Sequence, residues 1–164
     1  MGMSVIIAAA RPEEVEQVLK LQYLGYQSEA ELYSDWTLEP LTQTLESLRA
    51  EFTEHRVLVA RLGDEVVGSV RGWVDENGVG RIGRLVVHPR MQRHGLGRRL
   101  LEALEAQLTE DGASGGFELF TGHRSLGNLR LYRKLGYRET EVREVSRRLS
   151  IVTLAKPVAA SLAA

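Results

Sequence analysis

The sequence predicts a single α/β domain of the α+β kind, with a mixed, mostly antiparallel central sheet flanked by helices. Three observations carry this. Two turn signals, Gly63-Asp64 and Glu76-Asn77-Gly78, separate β-rich stretches and fold them into an antiparallel meander. A glycine turn then opens into a helix whose leucines at 96, 100, 101, 104 and 108 recur with helical period. The chain returns as Phe117-Glu118-Leu119-Phe120, and a strand, helix and strand in one sheet default to a right-handed parallel crossover.

The elements follow in order. Val5 to Ala9 reads as a first strand, and Arg11-Pro12-Glu13-Glu14 supplies the proline and acidic first turn of a helix start. Val15, Val18 and Leu19 form its inner face, with Gln22 a candidate for the same face. Gly25 to Thr37 lacks periodicity and is expected to loop, forming a candidate substrate wall, before a second helix with Leu41, Leu45 and Leu48 on one stripe. Strands are expected at Arg56 to Leu62, Glu65 to Val74 and Val79 to Val87, then a helix from about Gln92 to Leu108. Asp111-Gly112-Ala113-Ser114-Gly115-Gly116 reads as a flexible connection too short to link domains. A short helix over Asn128 to Leu135 precedes Gly136, where a left-handed cap is expected. Tyr137 to Val145 and Arg147 to Leu154 close the sheet as a hairpin, and the tail from about residue 157 is expected to fray.

At 164 residues one domain spans 1–164 and can bury roughly 70% of its unfolded surface. A formal charge of −1 gives no bulk electrostatic reason to expect a nucleic-acid partner. Without cysteine there is no disulfide frame, thiol nucleophile or thiolate zinc site. His55, His88, His94 and His123 show no ligand spacing, so no metal is expected. No apolar run reaches the roughly 18 residues of a membrane span, and no secretory signal pattern opens the chain, so a cytoplasmic protein without a membrane partner is expected. Met1-Gly2 hints at myristoylation, but Ile6 stands where that motif needs Ser or Thr.

Gln92-Arg93-His94-Gly95-Leu96-Gly97 follows the strand ending in Val86-Val87-His88-Pro89 and enters the leucine helix directly. Helix N-termini present unpartnered N–H groups and the positive end of the macrodipole, and glycines there let phosphate oxygens approach. A pyrophosphate is the expected ligand. Arg93 and Arg98 can add guanidinium contacts, while His94 is expected to offer its backbone N–H. Arg81, Arg84 and Arg99 read as a solvated basic face. Gly78-Val79-Gly80-Arg81-Ile82-Gly83 spells a dinucleotide fingerprint, but it follows a turn and leads into a strand rather than a helix, so it is set aside.

The glycine loop together with Asn128 and Tyr132, one helical turn apart, resembles the GNAT superfamily of acyl-CoA-dependent N-acyltransferases. The likeness spans about Val57 to Tyr137, and Gln92, Gly95, Gly97, Asn128 and Tyr132 all match the family pattern. The resemblance implies acetyl-CoA as cosubstrate, with the amides of Gln92, Arg93, His94, Gly95, Leu96, Gly97 and Arg98 at its pyrophosphate. It further implies that the strand edge at Leu85, Val86 and Val87 and the amide of Asn128 lie along the pantetheine arm. Tyr132 would donate the proton that the leaving thiolate needs.

The implied reaction is direct attack of an amine on the thioester, with a small-molecule or peptide amine as acceptor partner. Assembly as a homodimer is left open. Many relatives carry a Glu in the strand before the loop, whereas this one reads Val79-Gly80-Arg81-Ile82-Gly83-Arg84-Leu85, leaving the general base unassigned. Glu29, Glu31, Asp35 and Glu118 are candidates for acceptor binding or proton removal, and His88 and His123 stand at strand ends. A noncatalytic acyl-CoA-binding sensor or interaction module is the alternative. An enzyme of another phosphate-bearing cofactor is a third.

Overall fold

The computed structural model describes residues 4–159 as a seven-stranded sheet with helices on both faces. The strands are β1 (Val5–Ala9), β2 (Arg56–Leu62), β3 (Glu65–Val74), β4 (Gly80–Val87), β5 (Phe117–Gly122), β6 (Arg138–Glu144) and β7 (Ser150–Lys156). Their order across the sheet is β1-β2-β3-β4-β5-β7-β6, with β4 and β5 parallel and the other pairs antiparallel. The mixed sheet expected from the turns is therefore present. Turn chemistry set β2 and β3: Leu62 pairs with Glu65 across Gly63-Asp64, as a two-residue hairpin loop requires.

Six α-helices cover the sheet: α1 (Val15–Gly25), α2 (Gln27–Tyr33), α3 (Glu39–Thr42), α4 (Leu45–Glu54), α5 (Leu96–Glu110) and α6 (Leu126–Lys134). On one face Val15, Val18, Leu19 and Leu21 of α1 and Leu48 of α4 pack on Val59, Val66 and Val86. On the other, Leu96, Leu100, Leu101, Leu104 and Leu108 of α5 pack on Leu58, Ala60, Val70 and Ile82. All five leucines are essentially inaccessible, which is why this amphipathic stripe forms a helix there.

Several elements differ from the sequence expectation. Pro12–Glu14 is a 3₁₀ turn, and the α-helix starts at Val15. The stretch from Gly25 to Thr37 is not a loop throughout, because it contains α2. The helix expected through Leu41 and Leu48 is broken at Gln43, which is extended, and restarts behind the Thr44 cap. α5 begins at Leu96, with residues 88–95 forming a 3₁₀ turn and loop. The connection at Asp111–Gly116 is tied down: Ala113 is buried, Gly115 N donates to Gly78 O at 2.8 Å, and Gly80 N donates to Gly116 O at 2.8 Å. Pro157 to Ala159 have no regular structure but Val158 packs on the core; the rest of the expected tail, like Met1 and Gly2, lies outside the described residues. Gly78–Gly83 is a turn leading into β4, in keeping with setting the dinucleotide fingerprint aside.

Two irregularities in β4 position the site. Its ladder to β3 pairs Ser69 with Val86 and Arg71 with Gly83, so Val70 faces both Arg84 and Leu85, and Arg84 takes a left-handed backbone with φ 54°. On its other edge β4 pairs with β5 only at Gly80–Phe117 and Arg81–Glu118. Beyond that rung β5 continues along β7 as far as Gly122 and β4 continues along β3 as far as Val87. The two parallel strands thus part, opening a gap in the middle of the sheet.

Candidate active site

The gap carries two cavities. The first, of about 650 Å³, is lined by the edge residues Leu85, Val86 and Val87, by the loop before α5 and by the start of α6. The second, of about 350 Å³, is lined by Ile82 to Leu85, by Leu119 to Gly122 and by Tyr132, with α2 and α3 as its wall. Tyr26, Glu29, Leu85 and Asn128 line both, so the cavities meet where β4 and β5 part. Two ligands entering from opposite sides would meet at these four residues.

The loop before α5 has the geometry of an anion site. Gly95 is the N-terminal flanking residue of α5, with φ 73°, and an added Cβ there would meet nothing within 4 Å. Arg99 N donates to Gly95 O at 3.1 Å, so the N–H groups of Leu96, Gly97 and Arg98 precede the first intrahelical bond and lack an i−4 carbonyl. Gly97 packs closely on α6: a Cβ there would stand 3.2 Å from Leu131 Cδ2. Arg93, Arg98, Arg124 and Arg130 line the same cavity, a positive field concentrated where the backbone donors converge. Arg98 Nε also pairs with Glu102 at 2.5 Å one turn along α5.

Of the residues expected at the cofactor, Leu85, Val86, Val87, Gln92, Arg93, Gly95, Leu96, Gly97, Arg98 and Asn128 all line the first cavity. His94 sits in the same exposed loop without lining it. Asn128 stands in the first turn of α6, its Nδ2 3.3 Å from Thr121 Oγ1 on β5. Tyr132, one turn further, is only 6% exposed and lines the second cavity. Gly136 follows α6 with φ 98°, and the N–H groups of Gly136 and Tyr137 close the helix end. Burial pushes the Tyr132 phenol well above its usual range, with the charges of Tyr26 and Glu29 adding to the effect. It therefore stays protonated at neutral pH.

The carboxylates expected near the acceptor are not brought together. Glu29 is at the junction, accepting from Ser125 Oγ at 2.6 Å. Ser125 in turn bonds the buried Tyr33 hydroxyl at 2.8 Å, and that hydroxyl accepts from Arg124 N at 2.9 Å. Glu31 is exposed and lines neither cavity. Asp35 also lines neither, and its carboxylate accepts from the hydroxyl and amide of Thr37, which hold its pKa down. Glu118 is paired with Arg81 and lines a 270 Å³ cavity beside His55 and Trp73, which adjoins the second cavity along Glu39, Ile82 to Arg84, Leu119 and Phe120. His88 caps its own turn by accepting from Arg90 N at 3.1 Å, and His123 Nδ1 accepts from Ser150 N at 2.9 Å.

Sequence reasoning missed four contributors. Tyr26 follows α1 directly at the junction of the cavities, and its phenol is also pushed up by burial. Arg124 and Arg130 flank the first cavity, and nothing in their local sequence distinguishes them from surface arginines. Arg84, read as part of a solvated basic face, instead lines the second cavity with a side chain only 19% exposed. Arg81 is likewise not free, being paired with both Asp75 and Glu118.

Comparison with known proteins agrees with this geometry. Residues 22–137 match the model of the acetyltransferase (GNAT) family. By sequence alone no curated protein matches the chain. Among solved structures, the fold is similar to the ribosomal-protein-S18-alanine N-acetyltransferase of Escherichia coli, with a TM-score of 0.78, 16% identity, and 96% of each chain covered. It is similar to yncA of Salmonella typhimurium, solved with its cofactor acetyl-CoA, with a TM-score of 0.76, 18% identity, and 97% of this chain and 96% of that one covered. PaiA N-acetyltransferase of Thermoplasma acidophilum in complex with coenzyme A gives a TM-score of 0.75 at 17% identity, covering 94% of this chain and 99% of that one. A family match over residues 22–137, most of the chain, means that this protein belongs to the GNAT acetyltransferase family.

Proposed function

We propose that the protein is an N-acetyltransferase that moves the acetyl group of acetyl-CoA to a primary amine by direct attack, without a covalent enzyme intermediate. The observation that carries this is the meeting of an anion-binding cleft and a tyrosine-lined cavity at the parting of β4 and β5. The pyrophosphate lies on the amides before α5, and the pantetheine arm follows the edge of β4 that β5 has left unpaired. The thioester then stands at the junction and the acceptor amine enters from the second cavity.

The chemistry requires three proton movements. The amine nitrogen attacks the thioester carbon, the C–S bond breaks, the thiolate takes a proton from the Tyr132 hydroxyl, which burial keeps protonated, and the proton that the new amide nitrogen sheds returns to Tyr132 through water. A lysine-type ammonium has a pKa near 10.4 and must lose a proton first. β4 offers no carboxylate here, since Gly83 and Arg84 occupy the strand facing the cavity. Glu29 lines both cavities and takes the proton directly or through water. Tyr26 also lines both cavities, whereas Tyr132 lines the second.

An assay of thiol release from acetyl-CoA across amino acids, polyamines, aminoglycosides and peptides tests the reading. Release that depends on an amine and yields the acetylated amine is expected. Tight binding of CoA with no release by any amine would instead indicate a noncatalytic sensor, and tighter binding of ATP or NAD than of CoA would indicate a different cofactor.

A further inference from the structure

Arg84, which lines the second cavity and the 270 Å³ cavity adjoining it, has a guanidinium edge that the protein leaves half used. Arg84 Nη2 makes an ion contact with Glu39 Oε1 at 3.1 Å, while Arg84 Nε, on the same edge, is buried and has no hydrogen-bond partner among the described residues. Two other arginines show this edge fully engaged. Arg56 Nε and Nη2 each donate at 2.8 Å to Asp111, and Arg61 Nε and Nη2 donate at 2.6 and 2.7 Å to Glu14. A buried N–H without a partner is costly, and a planar fork matches a carboxylate in two-point fashion.

The surroundings leave this edge for a ligand. Glu39 is 81% exposed whereas Arg84 is 19% exposed, so their contact is loosely held and open to exchange. Arg71, the other cation nearby, is already matched by Glu51 Oε2 at 2.9 Å and by Gln22 and Gln43. Glu29, which lines the second cavity at the junction, is held by Ser125. Apolar side chains line the rest of this cavity, among them Leu38, Ile82, Leu119 and Leu149. The left-handed backbone of Arg84 is a strained conformation for a non-glycine residue, and such conformations cluster at binding sites.

We infer that the acceptor is a small amine that also bears a carboxylate on an apolar body, as an apolar amino acid does, and that Arg84 is the residue that selects it. The carboxylate takes the Nε and Nη2 edge in exchange for Glu39, the apolar part fills the cavity, and the amine is left toward Glu29 and the junction. This rests on the second cavity being the acceptor site of the transferase proposed above.

A matched series tests it: leucine, leucinamide and isopentylamine share the body and the amine but only the first has the carboxylate. The parent protein is expected to use leucine with kcat/KM roughly tenfold or more above the other two, as for loss of a charged hydrogen bond. In Arg84→Gln that ratio should collapse toward one, with KM for leucine rising, and Arg84→Lys should keep part of it. Should Arg84→Gln fail to melt as a folded protein, Arg84→Gly, which suits the positive φ, takes its place. Equal or better use of the amide or amine by the parent, or an equal loss for all three in the variant, overturns the assignment while leaving the transferase intact. Thiol release with no amine at all is a different result, and it sinks the transferase reading together with the inference.

Discussion

Arg81 and Glu118 are joined twice, as register partners on β4 and β5 and by an ion pair between their side chains, and this rung is the last before the two strands part. The pair marks the root of the active-site gap rather than its chemistry. Glu118→Gln should therefore leave kcat within a few-fold of the parent, and both side chains are about a third exposed, so the stability loss should stay below about 1 kcal/mol. A loss of 100-fold or more in kcat, with the melting temperature held, would return Glu118 to the list of candidate bases.

The loop before α5 should carry cosubstrate affinity. At 100 times its dissociation constant a ligand stabilises the fold by about 2.7 kcal/mol, so acetyl-CoA should raise the melting temperature visibly. Gly95→Asp should remove most of that rise, because its carboxylate enters the open space above the helix start and repels phosphate. An unchanged rise in a folded variant would move the cofactor elsewhere.

The proposed reaction puts two phenols, Tyr26 and Tyr132, near the reacting atoms, and kinetics can tell them apart. Tyr132→Phe should lower kcat by roughly 100-fold with acetyl-CoA affinity little changed, since only the proton donor is lost. Tyr26→Phe should cost much less. Because burial raises the Tyr132 pKa, no alkaline fall in kcat from loss of its proton is expected up to about pH 10, the ordinary phenol value. Equal losses in the two variants, or an alkaline limb well below that pH traced to Tyr132, would remove it as the donor.

Stability should fall toward both extremes of pH. Glu14 is buried against Arg61, whose hydrogen bonds hold its carboxyl below the usual value, so its contribution is present above about pH 4.3 and is lost as pH falls through the lowered folded value. Burial raises the phenols of Tyr132 and Tyr137, so above about pH 10 the unfolded chain releases protons that the fold retains, and stability declines. Glu14→Ala should cost about 3–5 kcal/mol by leaving the Arg61 charge buried without its carboxylate, with Ala9 O as its remaining acceptor. Denaturant melts across pH check all three, and an acid limb unchanged in Glu14→Ala would show that other carboxylates set it.

What was legible in the sequence follows the range of the forces involved. β2 and β3 were readable to the residue because a two-residue turn fixes their register locally. α5 was readable because five leucines share one face, and the turn before it because Gly95 has a left-handed backbone there. α2 was not: with seven residues and only Ala30 and Tyr33 buried, it has too little stripe to detect, and it is held by the distant bond from Tyr33 to Ser125. The gap between β4 and β5, the Arg84 bulge and the arrival of Tyr26 at the junction are all products of tertiary pairing. So Glu29 could be proposed but not separated from Glu31 and Asp35, which stand close by in sequence and apart from the cavities in space.

The placement of acetyl-CoA in the parted sheet is tested most directly by following backbone amide resonances during its titration. Shifts should concentrate at Leu85–Val87, at Gln92–Arg98 and at Asn128, the edge, loop and helix start that line the first cavity. Shifts confined to Gly78–Gly83, or spread over α1 and α4 with the loop silent, would contradict the assignment of this gap as the place where the acetyl group is transferred.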